Sequence, residues 1–559
     1  MKIDIEDKSF NQSLKLLGKD INDKDIDELK AILGARDRVS SRYISELDAD
    51  EIFVFGSNLQ GIHNWRASAL ARTDFHAEQG ISEGLSGRSY AIPTTKIIND
   101  EIQRMSPSEI VKFANTEKKW KTLEEEDFES LPLETIKAEV QRFILQAKDD
   151  QKMNPNRKYY VTRIGCGYSA YKDSDIAPFF KEALKLTNVF LPQSFLNCLF
   201  NVKAEFDTPS QMVPFTNSGL KNFRKELEQQ LSLYIDWLRD AKTIKKVYDD
   251  EIPIDILDDV EKLCGAIIKA VEQTFRGIQS VAYAELRDVL KEVLKKDNIL
   301  KEENPGKSFY RMRVETDNWA KKNINRYGMF HIPYSLRGMV KTQRYSVPGY
   351  PCLYLGESIL SCWEENGRPN LNSCLISRVE NKNSFKYLDL RIPKAETWKN
   401  SDKQQMKNQI LLFPLIIAST FKTNDRNANF KPEYIIPQLL LQYIKELAYK
   451  ENKGKFNDER VIYGIRYTSV YITDDQKCGN NNNYDNYVIP VADIKNEYCS
   501  RLCSVFCISE PICTEYENIK MQSIEKDEKQ QENKTYGYFD KLRIILESQE
   551  CMLMEQQPQ

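Results

Sequence analysis

Residues 344–365, RYSVPGYPCLYLGESILSCWEE, constrain the fold of this sequence more than any other stretch, because they predict a strand, a turn, a second strand and a helix in succession. Pro348-Gly349 is a typical turn pair. The apolar run 352–355 has the length of a strand. Ser358 is a helix-capping residue and Gly367 a helix stop, so the predicted helix is short. One segment therefore presents an arginine, a tyrosine and two glutamates from adjacent elements.

The side chains of this segment suit a ligand that carries phosphates, a planar ring and a ribose. The guanidinium of Arg344 can bind two phosphate oxygens, the ring of Tyr354 offers a stacking face, and a glutamate accepts hydrogen bonds from hydroxyls. Adjacent helix positions point about 100° apart, so only one of Glu364 and Glu365 can face such a pocket. The same residues also fit a surface arginine, a core tyrosine and a solvated glutamate, and spacing leaves both interpretations open.

The composition is that of an ordinary multi-domain protein. The 559 residues are 41% hydrophobic and 29% charged, which allows about two to four domains. With 80 basic and 83 acidic residues the net charge is −3, so no bias towards nucleic acid or an anionic membrane is present. No apolar run has the length of a membrane helix, and the charged N-terminus lacks a signal-peptide core. We therefore expect a cytoplasmic protein without membrane or nucleic-acid partners.

The cysteines and histidines do not predict a metal site. Cys499, Cys503 and Cys507 recur every four residues and would share one face of a helix. A structural zinc site needs four ligands, usually from loops with CxxC spacing, so we expect buried thiols here and no metal. The three histidines of the chain leave little material for a histidine-rich site.

Periodicity and composition divide the chain into five parts with different expected structures. They are a helical lead-in at 1–45, an α/β domain at 46–202, a helical connector or oligomerisation module at 203–300, an α+β domain at 301–515, and a charged tail at 516–559. The fold class is therefore a multi-domain combination of α/β and α+β. Homo-oligomerisation through the helical part stays open.

Three strands and intervening helices predict the α/β domain at 46–202. The strands are expected at 51–61, at 86–96 with an end at Pro93, and at 159–171, and a helix at 133–148. Strands that alternate with helices favour a sheet with ligand loops at the strand ends. Glycines in such loops let backbone N–H groups approach phosphate oxygens, although they also serve simple turns.

The motifs FVFGSN, SYAIPT, TRIGCG and IAPFF in this domain resemble those of a macro-domain-like family found in bacteria and phages. The resemblance implies an ADP-ribose site. In it, Asn58 would lie on the ribose side, and the diphosphate loop would consist of Gly165, Cys166 and Gly167. The sequence departs from the family at Trp65-Arg66, where bulky residues replace a small, glycine- and alanine-rich run. That departure predicts a reshaped pocket.

The α+β domain at 301–515 is predicted from several strand-like runs and two apolar helices. Arg311 lies on the first strand, within FYRMR. The alternating run 461–473 predicts a strand with Ser469 and Tyr471 on one face, together with Tyr467.

This part of the chain is identified as a member of the RES-domain family. The resemblance rests on residues 344–365 and on five further motifs. In chain order these are FYRMR, FHIPYSLRGMVKTQRYS, FKPEYIIPQLLLQYI, YGIRYTSVY and YDNYVIPV, and the second of them overlaps residues 344–346. RES domains are similar in fold to ADP-ribosyltransferase toxins. The family implies NAD as a substrate and cleavage of its nicotinamide–ribose bond, with water, phosphate or a protein side chain as the acceptor.

The resemblance also implies roles for individual residues. Arg311 and Arg344 would hold the diphosphate, and Tyr354 would lie against nicotinamide or its ribose. Glu365, whose spacing from Tyr354 fits the family better than that of Glu364, would stabilise the oxocarbenium-like transition state. Ser469 would position Glu365 or a ribose hydroxyl.

Together these resemblances predict an NAD-degrading effector of a bacterial toxin or antiphage defence system, with a domain that binds or senses ADP-ribose. Two other functions stay open: a mono-ADP-ribosyltransferase that modifies a protein, and a non-catalytic nucleotide sensor. The expected partners are NAD or ADP-ribose, together with a separate antitoxin chain or a phage-derived trigger.

Overall fold

A computed structural model of the chain forms two compact units, Met1–Glu205 and Phe206–Gln559. The residues that the structure describes are 31–32, 34–35, 38–41, 44, 46–116, 123, 127–166, 171–200, 208–216, 222–239, 254–295, 299–314, 325–370, 373–394, 397–398, 401–423, 425–451, 461–471, 484–491, 497–514 and 534–554. Most of the predicted lead-in, the asparagine run at 480–483 and the first part of the predicted tail lie outside these residues.

The N-terminal unit is built on a mixed sheet in the order β1-β7-β6-β2-β4-β3, with β5 beside β4. The strands are β1 Val39–Ser40, β2 Glu51–Asn58, β3 Gly84–Ser86, β4 Ser89–Ile97, β5 Phe128–Ser130, β6 Lys158–Val161 and β7 Val189–Pro192. Five of them run parallel, while β3 and β5 are antiparallel to β4. Because parallel strands end at the same edge, the loops after β2, β4 and β6 meet there.

Helices cover this sheet. They are α1 Arg66–Phe75, α2 Asp100–Gln103, α3 Pro107–Ala114, α4 Leu133–Met153, α5 Asp173–Ile176 and α6 Gln193–Leu199, with a 3₁₀ helix at Ala177–Lys185. The long helix α4 follows the predicted helical period and buries Ile136, Val140 and Phe143 in the core.

Two details of this unit differ from expectation. Strand β4 does not end at Pro93 but continues to Ile97. Ser57 of β2 pairs with Pro93, and the next residue, Asn58, pairs with Thr95, so the register between the two strands shifts at this point. Such an irregularity accommodates a residue that has no N–H to donate. Strand β1 lies before residue 46 and pairs with β7, so the sheet includes part of the predicted lead-in.

The C-terminal unit contains a large sheet in the order β19-β17-β12-β10-β11-β16-β15-β13-β9, with β18 beside β12. Its strands are β9 Leu300–Glu303, β10 Ser308–Val314, β11 Cys352–Gly356, β12 Cys374–Asn381, β13 Phe385–Leu390, β15 Tyr463–Thr468, β16 Asp485–Pro490, β17 Phe506–Ile508, β18 Ile512–Cys513 and β19 Met552–Leu553. Strands β8 Phe215–Thr216 and β14 Phe421–Lys422 form a separate parallel pair. The predicted strand at Arg311 is confirmed as β10.

Two groups of helices complete this unit. They are α7 Phe223–Arg239, α8 Ile254–Phe275, α9 Gln279–Lys295, α10 Arg326–Met329, α11 Ile359–Glu365, α12 Lys403–Ser419, α13 Ile435–Glu451, α14 Ser500–Val505 and α15 Lys534–Glu547, with 3₁₀ helices at Pro209–Met212, Tyr334–Met339 and Pro432–Tyr434. Helices α7–α9, in the predicted connector, pack against α12 and α13. They therefore belong to the same compact unit as the sheet.

The end of the chain also joins this unit. Helix α15 buries Phe539, Leu542 and Leu546 against residues of β10, β12 and α11, and β19 pairs with β17. Where the structure describes it, the expected charged tail thus contributes an apolar face to the core of this unit.

The cysteine repeat does not lie on one helix. Helix α14 ends at Val505, so Cys499 precedes it, Cys503 lies on it and Cys507 lies in β17. All three thiols are buried, and none of them forms a disulfide within the described part of the chain. Among the described residues, no helix is both long and apolar enough to cross a membrane.

Candidate functional site

Helix α11 carries the candidate catalytic carboxylate, and its position is fixed at both ends. The hydroxyl of Ser358 accepts a hydrogen bond from the Ser361 N–H (3.0 Å) and caps the helix, as predicted. A Cβ at Gly356 would lie 2.6 Å from Cys362 Sγ, so only glycine permits this approach of strand β11 and helix. At the C-terminus Gly367 adopts a left-handed φ of 82°, which ends the helix as the sequence indicates.

Glu365, at the end of α11, faces side chains from two neighbouring strands. Its carboxylate accepts a hydrogen bond from Asn486 Nδ2 of β16 (3.3 Å), and the Ser469 side chain is among its electrostatic neighbours. Asn486 lies opposite Gly356 of β11 and Tyr467 of β15, so the carboxylate lies above the point where these strands meet. The side chain is only partly buried, and it therefore retains access to a ligand.

Glu364 points elsewhere. It is 2% exposed, and its Oε2 accepts a hydrogen bond from Arg368 Nε at 2.8 Å within the same turn. The structure therefore gives the two adjacent carboxylates different surroundings. Glu365 is the one that lies beside Ser469 and Arg344.

The surroundings of Glu365 have opposite effects on the pKa of its carboxyl group. Burial raises the pKa of its carboxyl group above the ordinary value, and the nearby charge of Glu364 acts in the same direction. The polar side chain of Ser469 and the positive charges of Arg344 and Arg426 lower that pKa. The two arginines thus favour the ionised form of a carboxylate that its surroundings partly desolvate.

Arg344 does not lie on a strand, which corrects the expectation from its sequence. It occupies a bend and is 8% exposed. Its Nη1 donates to the carbonyls of Ser419 (3.0 Å) and Phe421 (2.9 Å), at the C-terminal end of α12. A cation is favourable at a helix C-terminus. Its guanidinium also lies over the ring of Tyr434, 5.1 Å from the centroid.

The backbone around Arg344 is held by a side chain instead of by a neighbouring strand. Gln438 Nε2, on α13, donates to the carbonyl of Gln343 (3.0 Å) and to Thr342 Oγ1 (3.1 Å). Ser346 follows in the same segment, and its hydroxyl is 2.9 Å from the hydroxyl of Tyr354. This segment therefore connects α13 to the phenol of β11, and the turn predicted at Pro348-Gly349 follows it.

The remaining predicted residues lie around the same place. Arg311 Nη1 donates to the carbonyl of Tyr354 (2.7 Å) from the neighbouring strand. Tyr467 is a buried phenol whose electrostatic neighbours include Glu365, Tyr354 and Arg344. All five residues predicted for the C-terminal site thus lie close to one another, although the sequence separates them widely.

Ser469 lies in the turn after β15, not on the strand. Strand β15 ends at Thr468, and the Ser469 N–H donates to the Tyr484 carbonyl (3.0 Å). The predicted strand extended to 473, and residues 472 and 473 lie outside the described part of the chain. Tyr467 and Ser469, which alternation predicted on one face, both have Glu365 among their electrostatic neighbours.

Two neighbours of Glu365 were absent from the predicted set, namely Asn486 and Arg426. Asn486 lies within the motif YDNYVIPV, so its motif was noted although its side chain was not. Arg426 lies in an exposed loop after β14, with its guanidinium carbon 3.7 Å from the ring centroid of Tyr471. No periodicity or motif in the sequence singles it out.

In the N-terminal unit, the structure places Asn58 at the end of β2 with its amide bonded inside its own loop. Nδ2 donates to the Ile62 carbonyl (2.8 Å), and Oδ1 accepts from the Ile62 N–H (3.1 Å). The side chain is 4% exposed. Its present bonds therefore shape the loop after β2.

The loop after β6 approaches the same edge. Gly165 has a left-handed φ of 75°, and a Cβ there would lie 2.9 Å from Ile176 Cδ1. A Cβ at Gly56, near the end of β2, would lie 3.8 Å from the Gly165 nitrogen, so the loop after β6 adjoins the end of strand β2. Burial raises the pKa of the Cys166 thiol, and Gly167 lies outside the described residues.

The bulky pair at 65–66 begins helix α1. Trp65 precedes the helix and packs edge-on against Phe128 of β5, with ring centroids 5.0 Å apart. The indole thus joins a small apolar cluster with Ile62 and Ile97. The side chain of Arg66 lies outside the described residues.

Comparison with known proteins gave one informative similarity. No protein-family model and no solved structure matches the chain. A protein of Bacillus subtilis (strain 168) named "Putative toxin YopC" is 32% identical over 324 residues, which cover 54% of this chain and 68% of that protein. At that extent the similarity goes well beyond a single motif.

Proposed function

The chain belongs to the same protein family as YopC of Bacillus subtilis (strain 168), and we propose that it is a toxin whose C-terminal unit cleaves the nicotinamide–ribose bond of NAD. The toxin part of this proposal is supported by the name of that relative. The chemistry is supported by one observation above all: a partly buried carboxylate, Glu365, accepts a hydrogen bond from Asn486 and lies beside the Ser469 side chain and the charge of Arg344.

The proposed reaction uses that carboxylate when the glycosidic bond breaks. Departure of nicotinamide leaves positive charge on the ribose, and a fixed carboxylate is worth most at that moment. Ser469 and Asn486 orient Glu365, and the charge of Arg344 favours its ionised form, whereas burial opposes that form. Tyr354 offers a ring face for the nicotinamide. Water, phosphate or a protein side chain would then take the ADP-ribosyl group.

Incubation of the purified chain with NAD, followed by identification of the products, tests the proposal. We expect free nicotinamide together with ADP-ribose. ADP-ribosyl phosphate would identify phosphate as the acceptor, and labelling of a protein by NAD would identify a mono-ADP-ribosyltransferase. Tight binding of NAD without any product would contradict catalysis and support a nucleotide sensor.

A second proposed function concerns the N-terminal unit, which would bind ADP-ribose. The observation that favours it is the approach of the loop after β6 to the end of strand β2, where Gly165 combines a left-handed conformation with close packing. Backbone N–H groups in such loops can bind phosphate oxygens. The amide of Asn58 would act by shaping the loop after β2.

Residues 1–205, expressed as a fragment, should bind ADP-ribose in a calorimetric titration. Starting the fragment at 46 would remove β1, so we choose the longer one. Gly165→Glu should abolish binding, because its side chain meets Ile176 and fills the space that a phosphate needs. Asn58→Ala should weaken binding and lower the free energy of unfolding by about 1–3 kcal/mol, because it leaves the buried Ile62 amide unpaired. Absence of binding by a folded fragment would make this unit a scaffold.

A further inference from the structure

The loop after β14 holds an arginine that the proposed chemistry does not yet use. Arg426 is exposed, and within the described residues its side chain makes neither a hydrogen bond nor an ion pair. The position of its side chain is nevertheless defined by a cation–π contact, because its guanidinium carbon lies 3.7 Å from the ring centroid of Tyr471. A planar cation on an aromatic ring loses little freedom on binding an anion.

The position of Arg426 brings it to the site. A Cβ at Gly367 would lie 2.9 Å from Arg426 Nη1, so the guanidinium passes over the last turn of α11, directly after Glu365. Its charge lowers the pKa of the Glu365 carboxyl group. Tyr471 also belongs to the electrostatic surroundings of Arg344. Arg426 and Tyr471 therefore form the exposed rim of the place whose interior contains Glu365 and Arg344.

In the two other arginines of the site Nη1 already has a main-chain acceptor, whereas Arg344 Nη2 is buried without a hydrogen-bond partner among the described residues. Arg344 Nη1 donates to two main-chain carbonyls, and the guanidinium is buried. Arg311 Nη1 donates to the carbonyl of Tyr354. By contrast, the exposed Arg426 makes no side-chain hydrogen bond or ion pair within the described residues, and a planar guanidinium fork matches two oxygens of a phosphate.

We propose that Arg426, supported by the ring of Tyr471, binds the diphosphate of the dinucleotide at the mouth of the site. This inference rests on the proposed function for the choice of substrate. In this proposal Arg426 and Tyr471, at the rim of the site, contribute to substrate affinity, and Glu365, in its interior, contributes to bond cleavage. Arg426 would then be a substrate-binding residue whose loss changes KM more than kcat.

The test compares Arg426→Gln with the unchanged chain in two assays. For NAD we expect KM to rise at least about tenfold, as for loss of a charged hydrogen bond, and kcat to change less than about threefold. Nicotinamide riboside has the same scissile bond without a diphosphate, so its kcat/KM should be the same in both proteins. Arg426→Lys, which keeps the charge but not the fork, should be intermediate.

Arg337→Gln is the matched control. Arg337 is likewise exposed and lies over a tyrosine, 5.0 Å from the ring centroid of Tyr334. This substitution should leave KM for NAD unchanged. A change equal to that in Arg426→Gln would mean that general surface charge, not the rim of the site, determines affinity, and would overturn the inference.

Calorimetric titration of the full chain with ADP-ribose separates this inference from the proposed function. Because the N-terminal unit is proposed to bind the same ligand, the titration uses Gly165→Glu as the background. If the Gly165→Glu protein binds ADP-ribose, loses that binding when Arg426→Gln is added, and releases no nicotinamide from NAD, the inference stands and the proposed chemistry fails. If NAD is cleaved with the same KM in Arg426→Gln, the chemistry stands and the inference fails. If the Gly165→Glu protein neither binds ADP-ribose nor cleaves NAD, both the inference and the proposed chemistry are overturned.

Discussion

Glu365→Gln should reduce NAD cleavage by about a hundredfold or more while the protein stays folded. The substitution keeps the size of the side chain and its ability to accept a hydrogen bond from Asn486, but it removes the charge that faces the ribose as nicotinamide leaves. Loss of such a charge costs about 3 kcal/mol of transition-state stabilisation or more. Nicotinamide release over time measures the rate, and thermal unfolding shows whether the fold is intact.

Glu364→Gln is the natural control, because it changes the adjacent carboxylate in the same way. Glu364 is bonded to Arg368 and buried against the core, so we expect this variant to lose some stability and to retain most of its activity. The opposite result, activity in Glu365→Gln and none in Glu364→Gln, would transfer the catalytic role by one residue. Normal turnover in both variants would contradict the proposed mechanism.

Local signals predicted the local part of this site well. The cap at Ser358 and the stop at Gly367 gave helix α11 its bounds, since both act within one turn of the helix. The conformation around Arg344 could not be predicted in this way. Its backbone is held by Gln438 from a distant helix and its guanidinium by carbonyls at the end of α12, and no short-range pattern records either partner.

The same distinction explains Arg426 and the end of the chain. A solvent-exposed arginine in a polar loop has no periodicity, so only the three-dimensional proximity to Gly367 reveals its place. Helix α15 lies in the part expected as a charged tail, and the sequence does not show that Phe539, Leu542 and Leu546 bury one face against the sheet. Long-range packing decides in both cases, whereas the strands and long helices follow from period alone.

Expression of the full chain in bacteria should lower cellular NAD and arrest growth. The reason is that the proposed reaction consumes a cofactor on which the whole metabolism depends. Glu365→Gln, expressed to the same level, should restore both NAD and growth. Metabolite extracts taken before the arrest give the NAD content, and the growth curve gives the arrest.

The comparison of these two strains also decides which proposed activity harms the cell. Depletion of NAD before arrest, lost together in Glu365→Gln, supports hydrolysis or phosphorolysis of NAD. Arrest with unchanged NAD that still requires Glu365 would point to modification of a protein target, because such a reaction consumes little NAD. Arrest that persists in Glu365→Gln with NAD unchanged would rule out the carboxylate as its cause. Removal of residues 1–205 should then alter when arrest occurs and leave the chemistry in place, since every residue proposed for bond cleavage lies in the C-terminal unit.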